Sequence, residues 1–406
     1  MTIHLSCKAK IVSFMLGCIT APGFAGSQQV LQEKAQAINI EVPTRVFDGG
    51  SFVSGLLAGD FELFENGLPQ DILACYLVDS GRKEILPGNP TEEVTMLMPD
   101  MRRTFILIFE TNSFGKGCRD GLTYIVEQVL GKDDTLIVAT PLRTYRIGPE
   151  SPTRADPKAL AKALRDKCVD DIDEASGELR FLISDYLSIA SKEEDEIAVG
   201  REDTLVSLLG RIRQLKSIDE PQLVQLAQSF SRIGGQKHIL LFLEKEDVLL
   251  KRALSTSQDL GGGELFKMQL MRDVRFDVER LARLFSQNQL DFHFLFLTRN
   301  DLVETSLDMH PSEWGDFEKA DITGELFSVF SKISTATGGL TITSRNPMAS
   351  IKKAVEVAEK YYVLYYQPKN TIADGSFREI KVRVKGKDYN VIHRKGYFME
   401  KADPKT

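Results

Sequence analysis

Cysteine and tryptophan are scarce in this chain, at five and one among 406 residues. Cys7 and Cys18 fall before residue 25, which leaves Cys75, Cys118 and Cys168, an odd and widely spaced set. That spacing excludes a disulfide framework and a cysteine zinc site, and three partly buried thiols are the expectation. Catalytic signatures are absent too: there is no P-loop, Gly-x-Gly-x-x-Gly, His-Glu-x-x-His or Gly-x-Ser-x-Gly. Positive charge is in deficit, with 51 Lys and Arg against 58 Asp and Glu and a net charge of -7, so bulk attraction to nucleic acid is excluded. No segment after residue 25 reaches the apolar length of a membrane span.

What is present is a folded acidic chain, 42% apolar and long enough for one large core and a smaller satellite. Lys8 and Lys10 precede the apolar stretch 11–25, which closes Gly23-Phe24-Ala25. This is the order of a secretory signal peptide cleaved after Ala25, which predicts a secreted or periplasmic protein. Met15-Leu16-Gly17-Cys18 offers the alternative of a lipoprotein anchored at Cys18.

The centre of the chain is Arg103 to Ser113. Five apolar residues from Phe105 form a strand buried on both faces, which stops at Glu110 and runs into Thr111-Asn112-Ser113. Helical spacing over 122–130 and further buried strands at 135–140, 238–243 and 290–297 continue a βα alternation through about residue 360. It predicts an α/β domain with a doubly wound, mostly parallel, Rossmann-like sheet, whose strand carboxyl ends form the binding rim. Separate helices are expected over 156–167, 177–189 and 204–215, with the acidic run 192–196 as a solvated loop. His238 and His293 read as hydrogen-bonded core histidines. Cys118, near a helix start, has no His partner in view to activate it.

Both ends of the chain are β-rich. Ile38 to Val42 alternates, and Asn66-Gly67 is a hairpin turn before 72–78. In the tail, 361–366 is apolar, and Ile380, Val382 and Val384 alternate with Lys381, Arg383 and Lys385 as a half-exposed strand does. A tail of so few strands needs a partner sheet, and the N-terminal unit supplies it. The expected organisation is a signal peptide at 1–25, a β unit and connector at 26–97, the α/β domain at 98–360 and a C-terminal β segment at 361–406.

The segments 46–56 and 60–70, with 361–366, 374–382 and 394–398, resemble the bacterial proteins containing a von Willebrand factor A-related domain. The resemblance implies a secreted or envelope protein that acts as a protein-binding module and not as an enzyme. It also implies that the first strand-end motif, an Asp-x-Ser-x-Ser metal site in A domains, falls on Glu110 to Phe114. Glu110, Asn112, Thr204 and Glu244 are then the positions of a degenerate Mg²⁺ site. Added methylenes, an amide and Phe114 replace the strict oxygen ligands, so a metal-free rim is expected, with no cofactor and with Ser113 and an exposed Phe114 as contact residues. The alternatives are a hydrolase built on a Glu110/Glu244 carboxylate pair, or a structural envelope subunit working through the β segments.

Overall fold

A computed structural model describes residues 39–49, 51–79, 82–86, 100–190, 201–216, 218, 220–231, 233–244, 276–298 and 322–399. The segment expected to be a signal peptide, the acidic run 192–196 and the connector at 87–99 lie outside the described residues. Among those described, no helix is long and apolar enough to cross a membrane. The chain divides into two compact units, one over Arg102–Glu356 and the other over the segments on either side, up to Met101 and from Val357.

The N-terminal segment of the second unit carries β1 (Ile40–Asp48), β2 (Ser51–Phe52), β3 (Phe61–Glu65), β4 (Leu68–Gln70), β5 (Ile72–Asp79) and β6 (Arg82–Ile85). Asn66 and Gly67 both take positive φ, 48° and 80°, between β3 and β4. This left-handed pair matches the twist of a tight hairpin, which is why Asn-Gly is favoured there.

In the first unit come β7 (Arg103–Glu110), α1 (Lys116–Tyr124), a π turn (Ile125–Val129), β8 (Thr135–Ala139), β9 (Thr144–Ile147), α2 (Pro157–Ala190), α3 (Arg201–Lys216) and α4 (Glu220–Ser229). β10 (Gln236–Glu244), α5 (Val278–Gln287), β11 (Leu290–Leu297), α6 (Ile322–Thr337), β12 (Thr341–Ser344) and α7 (Pro347–Glu359) follow. The strands form one sheet in the order β12-β11-β10-β7-β8-β9.

This corrects the expected fold class: the protein is not a doubly wound, mostly parallel α/β sheet. The sheet of the first unit is mixed, because β9 runs antiparallel to β8. Only Thr140 to Arg143 separate the two, far fewer residues than a parallel crossover requires, so the chain turns back as a hairpin. The other two sheets, of six and four strands, are antiparallel.

One face of the mixed sheet packs on α5 and α6 through rings: Phe292 lies 5.6 Å from Phe285 and 5.8 Å from Phe330, and Phe294 lies 5.5 Å from Phe327. Gly235 starts β10 at φ +78°, and a Cβ there would stand 2.1 Å from the Arg102 carbonyl, so only glycine lets β10 begin this close to β7. Helix α2 is a single element of 34 residues where two were expected. Its buried Asp171 interrupts the apolar stripe on which the periodicity reading relied. Leu179, Leu182, Ile183 and Tyr186 of α2 bury against Leu208, Leu209 and Ile212 of α3.

The chain returns to the second unit in β13 (Lys360–Tyr366), β14 (Phe377–Val384), β15 (Asn390–His393) and β16 (Gly396–Phe398). β13 inserts between β1 and β5, and β14 pairs with β3, so strands from both chain ends interleave in each sheet. Residues of β14 alternate between exposed and buried along its length, with Lys381 and Arg383 outward. The core holds Glu65, a nearly inaccessible carboxylate that accepts from the hydroxyls of Tyr366 at 2.6 Å and Tyr397 at 2.9 Å. Two short charge-assisted bonds offset the cost of burying that charge.

Candidate functional site

β7 and β10 are adjacent and parallel, and their carboxyl ends deliver Glu110 and Glu244 to one rim of the mixed sheet. Register then separates them. Glu110 lies opposite Leu243, so its side chain shares the Leu243 face, and Glu244 projects from the other face. The hydrolase alternative asks for two carboxylates in different environments, and the pleat sends this pair to opposite faces of the sheet.

Glu244 has a different task. Its carboxylate accepts the backbone N–H of Asn112 at 2.7 Å, and the Ser176 hydroxyl of α2 donates to the Asn112 carbonyl at 2.7 Å. The loop after β7 is therefore held on both sides of one residue by two different elements. Thr204, the loop threonine expected to complete a metal site, sits exposed in the first turn of α3. The hydroxyl that reaches the loop is Ser176, which no sequence motif marks.

Phe114 is a second correction. It was expected on the surface, yet it is 4% exposed, with its ring edge-on to Phe109 at 5.0 Å. An aromatic side chain following a buried strand gains more from joining the core than from facing water. Ser113 and Asn112 are half-buried, and Thr111 is buried. With Glu110 on the opposite face from Glu244 and Phe114 buried and apolar, these residues do not fit Mg²⁺, which requires several oxygens in near-octahedral array.

The rim continues past β8. Asp171 of α2 accepts from the Thr140 hydroxyl at 2.7 Å and the Tyr145 hydroxyl at 2.7 Å, and pairs with the Arg143 guanidinium. Burial, then the bond to Asp171, pushes the Tyr145 hydroxyl well above its ordinary range, so it remains a donor. Arg143 is half-exposed and also reaches Glu174 at 3.3 Å. The result is a polar patch fixed from below, in which one guanidinium is shared by two carboxylates.

Cys118 is buried in α1. Burial first, and the nearby Glu244 charge second, push its thiol up to about 12. It stays protonated, and a protonated thiol is a poor nucleophile. Cys75 and Cys168 are likewise buried and free, with thiols pushed up to about 12.

A separate cluster lies toward the amino ends of the strands. His238 of β10 stands opposite Asp291 of β11, with His293 two residues further along β11. All three are buried, and each offers a ligand atom within 4.8 Å of the others. No family model matches the chain, and neither a curated protein nor a solved structure matches it.

Proposed function

We propose that the chain is a non-enzymatic protein-recognition module, secreted or in the bacterial envelope, which binds a partner through the strand-end rim without a metal. The observation that carries this reading is the double clamp on Asn112, by Glu244 from β10 and Ser176 from α2. A loop held in one conformation before binding loses little entropy on association, which is the requirement of a recognition surface.

The test is capture from envelope extracts, in EDTA, with wild type, Ser113→Arg and Lys381→Glu. Ser113→Arg places a long cation on the rim, whereas Lys381→Glu reverses a charge on the exposed face of β14. A partner held in EDTA by wild type and Lys381→Glu, and lost by Ser113→Arg, is the expected result. Retention by Ser113→Arg with loss by Lys381→Glu would assign the function to the β unit instead, as a structural subunit requires.

A further inference from the structure

We infer that His238, Asp291 and His293 form a binding site for one divalent transition metal of the kind that takes nitrogen and oxygen donors, such as Zn²⁺. The inference is independent of the rim.

Parallel register brings the three together. His238 is opposite Asp291, and His293 is two positions along the same strand, so all three project from one face of the sheet. The His238 Nδ1 lies 3.4 Å from an Asp291 carboxylate oxygen. Two donors about 2.0–2.1 Å from a tetrahedral zinc ion stand about 3.3–3.4 Å apart, so this edge already has the spacing of a ligand pair. The His293 ring lies 5.9 Å from that of His238, and Phe105 closes the other side at 5.6 Å.

The donor set selects the class of ion. Two imidazoles and one carboxylate are a ligand set of zinc, with a fourth position left for water, and equally of non-haem Fe(II), whereas Mg²⁺ takes oxygen donors; zinc, which has no redox chemistry, is the ion used as probe. Both rings are fully buried, and Asp291 is nearly so. A carboxylate in that setting carries a desolvation cost which a bound dication offsets. Binding has a local consequence as well. The Leu340 amide donates to His293 Nδ1 at 3.3 Å, and whichever ring nitrogen ligates, Nδ1 stops accepting that bond, because it then holds either the metal or the ring proton.

The test uses the tag-free full chain, stripped with chelator and dialysed against Zn²⁺. One zinc per chain is expected by elemental analysis, with affinity lowered at least tenfold in His238→Gln, Asp291→Asn and His293→Gln, each checked for native circular dichroism. Should these variants not fold, Co²⁺-loaded wild type decides. Visible bands of a four-coordinate nitrogen and oxygen site, without thiolate charge transfer, support the assignment. Absence of such bands overturns it, and so does zinc binding unchanged in all three variants.

Discussion

Asp134→Ala is expected to destabilise the mixed-sheet unit by about 3–5 kcal/mol, the cost of leaving a buried charge without its partner. Asp134 is the hub of the corner where β7 starts. Its carboxylate accepts from Arg103 Nη2 at 2.6 Å, from Arg103 Nε at 3.1 Å and from the Gly131 amide at 2.7 Å. Both side chains of the pair are less than a tenth exposed, so solvent cannot screen the abandoned guanidinium. Arg103 also donates to the Val129 carbonyl at 2.9 Å, and Arg154 to the Asp134 carbonyl at 2.5 Å, so the corner joins the π turn, β7 and β8. Guanidinium unfolding of the full chain, followed by circular dichroism, measures the loss. The double replacement Arg103→Met with Asp134→Leu should recover part of it, since no charge is then stranded although the Gly131 amide and the Val129 carbonyl lose their partners. A cost below about 1 kcal/mol for Asp134→Ala would show that the pair does not hold the corner.

Acid should weaken the β unit through His393. This ring is buried, accepts the Val382 amide at Nε2 at 3.2 Å and pairs through Nδ1 with the Arg394 carbonyl at 2.8 Å. One nitrogen must accept and the other donate, which defines the neutral ring. Burial is the main cause that pushes its pKa down to about 4 from the ordinary 6.5; the Lys395 charge adds to the shift and the Arg394 bond opposes it. Because the folded value is the lower one, the unfolded chain binds the extra proton in between. The stabilisation is complete above pH 6.5 and is lost as pH falls toward 4, by about 3 kcal/mol at most. Carboxylates titrate in part of the same window, so the comparison that isolates the effect is wild type against His393→Leu. The difference in their unfolding free energies should shrink as pH drops from 7 to 4. A constant difference would contradict the assignment.

Local signals in the sequence translated well where one residue type has one physical reason to be present. Asn66-Gly67 marked a turn that needs two positive φ values, and the alternation from Ile380 to Val384 marked a strand with one wet face. The run from Phe105 marked a strand buried on both sides. Direction was not legible in the same way. A strand's composition does not say whether its neighbour runs with it or against it, and the loop from Thr140 to Arg143 alone reverses β9. The long helix α2 was hidden because Asp171 looks like a break until its partners Thr140, Arg143 and Tyr145 arrive from the β8–β9 turn and β9.

The candidate site was legible in its position and not in its contacts. A carboxylate closing each of two apolar strands located the rim, but single residues carry no register, and register is what sends Glu110 and Glu244 to opposite faces. Ser176 lies 64 residues from the Asn112 carbonyl it binds, beyond any local pattern. His238 and His293 were read as core histidines one at a time, and only the pairing of β10 with β11 sets them beside Asp291. Phe114 went astray because polar neighbours in sequence do not imply a polar environment once the ring can pack on Phe109.

Recognition through the clamped rim is the central claim, and hydrogen exchange on the complex of the full chain with its captured partner tests it most directly. Slowed exchange at residues 111–117 and along α2 from 172 to 182, unchanged by EDTA, is the result predicted. Slowed exchange confined to residues 377–393, with the rim exchanging as in the free chain, would contradict it.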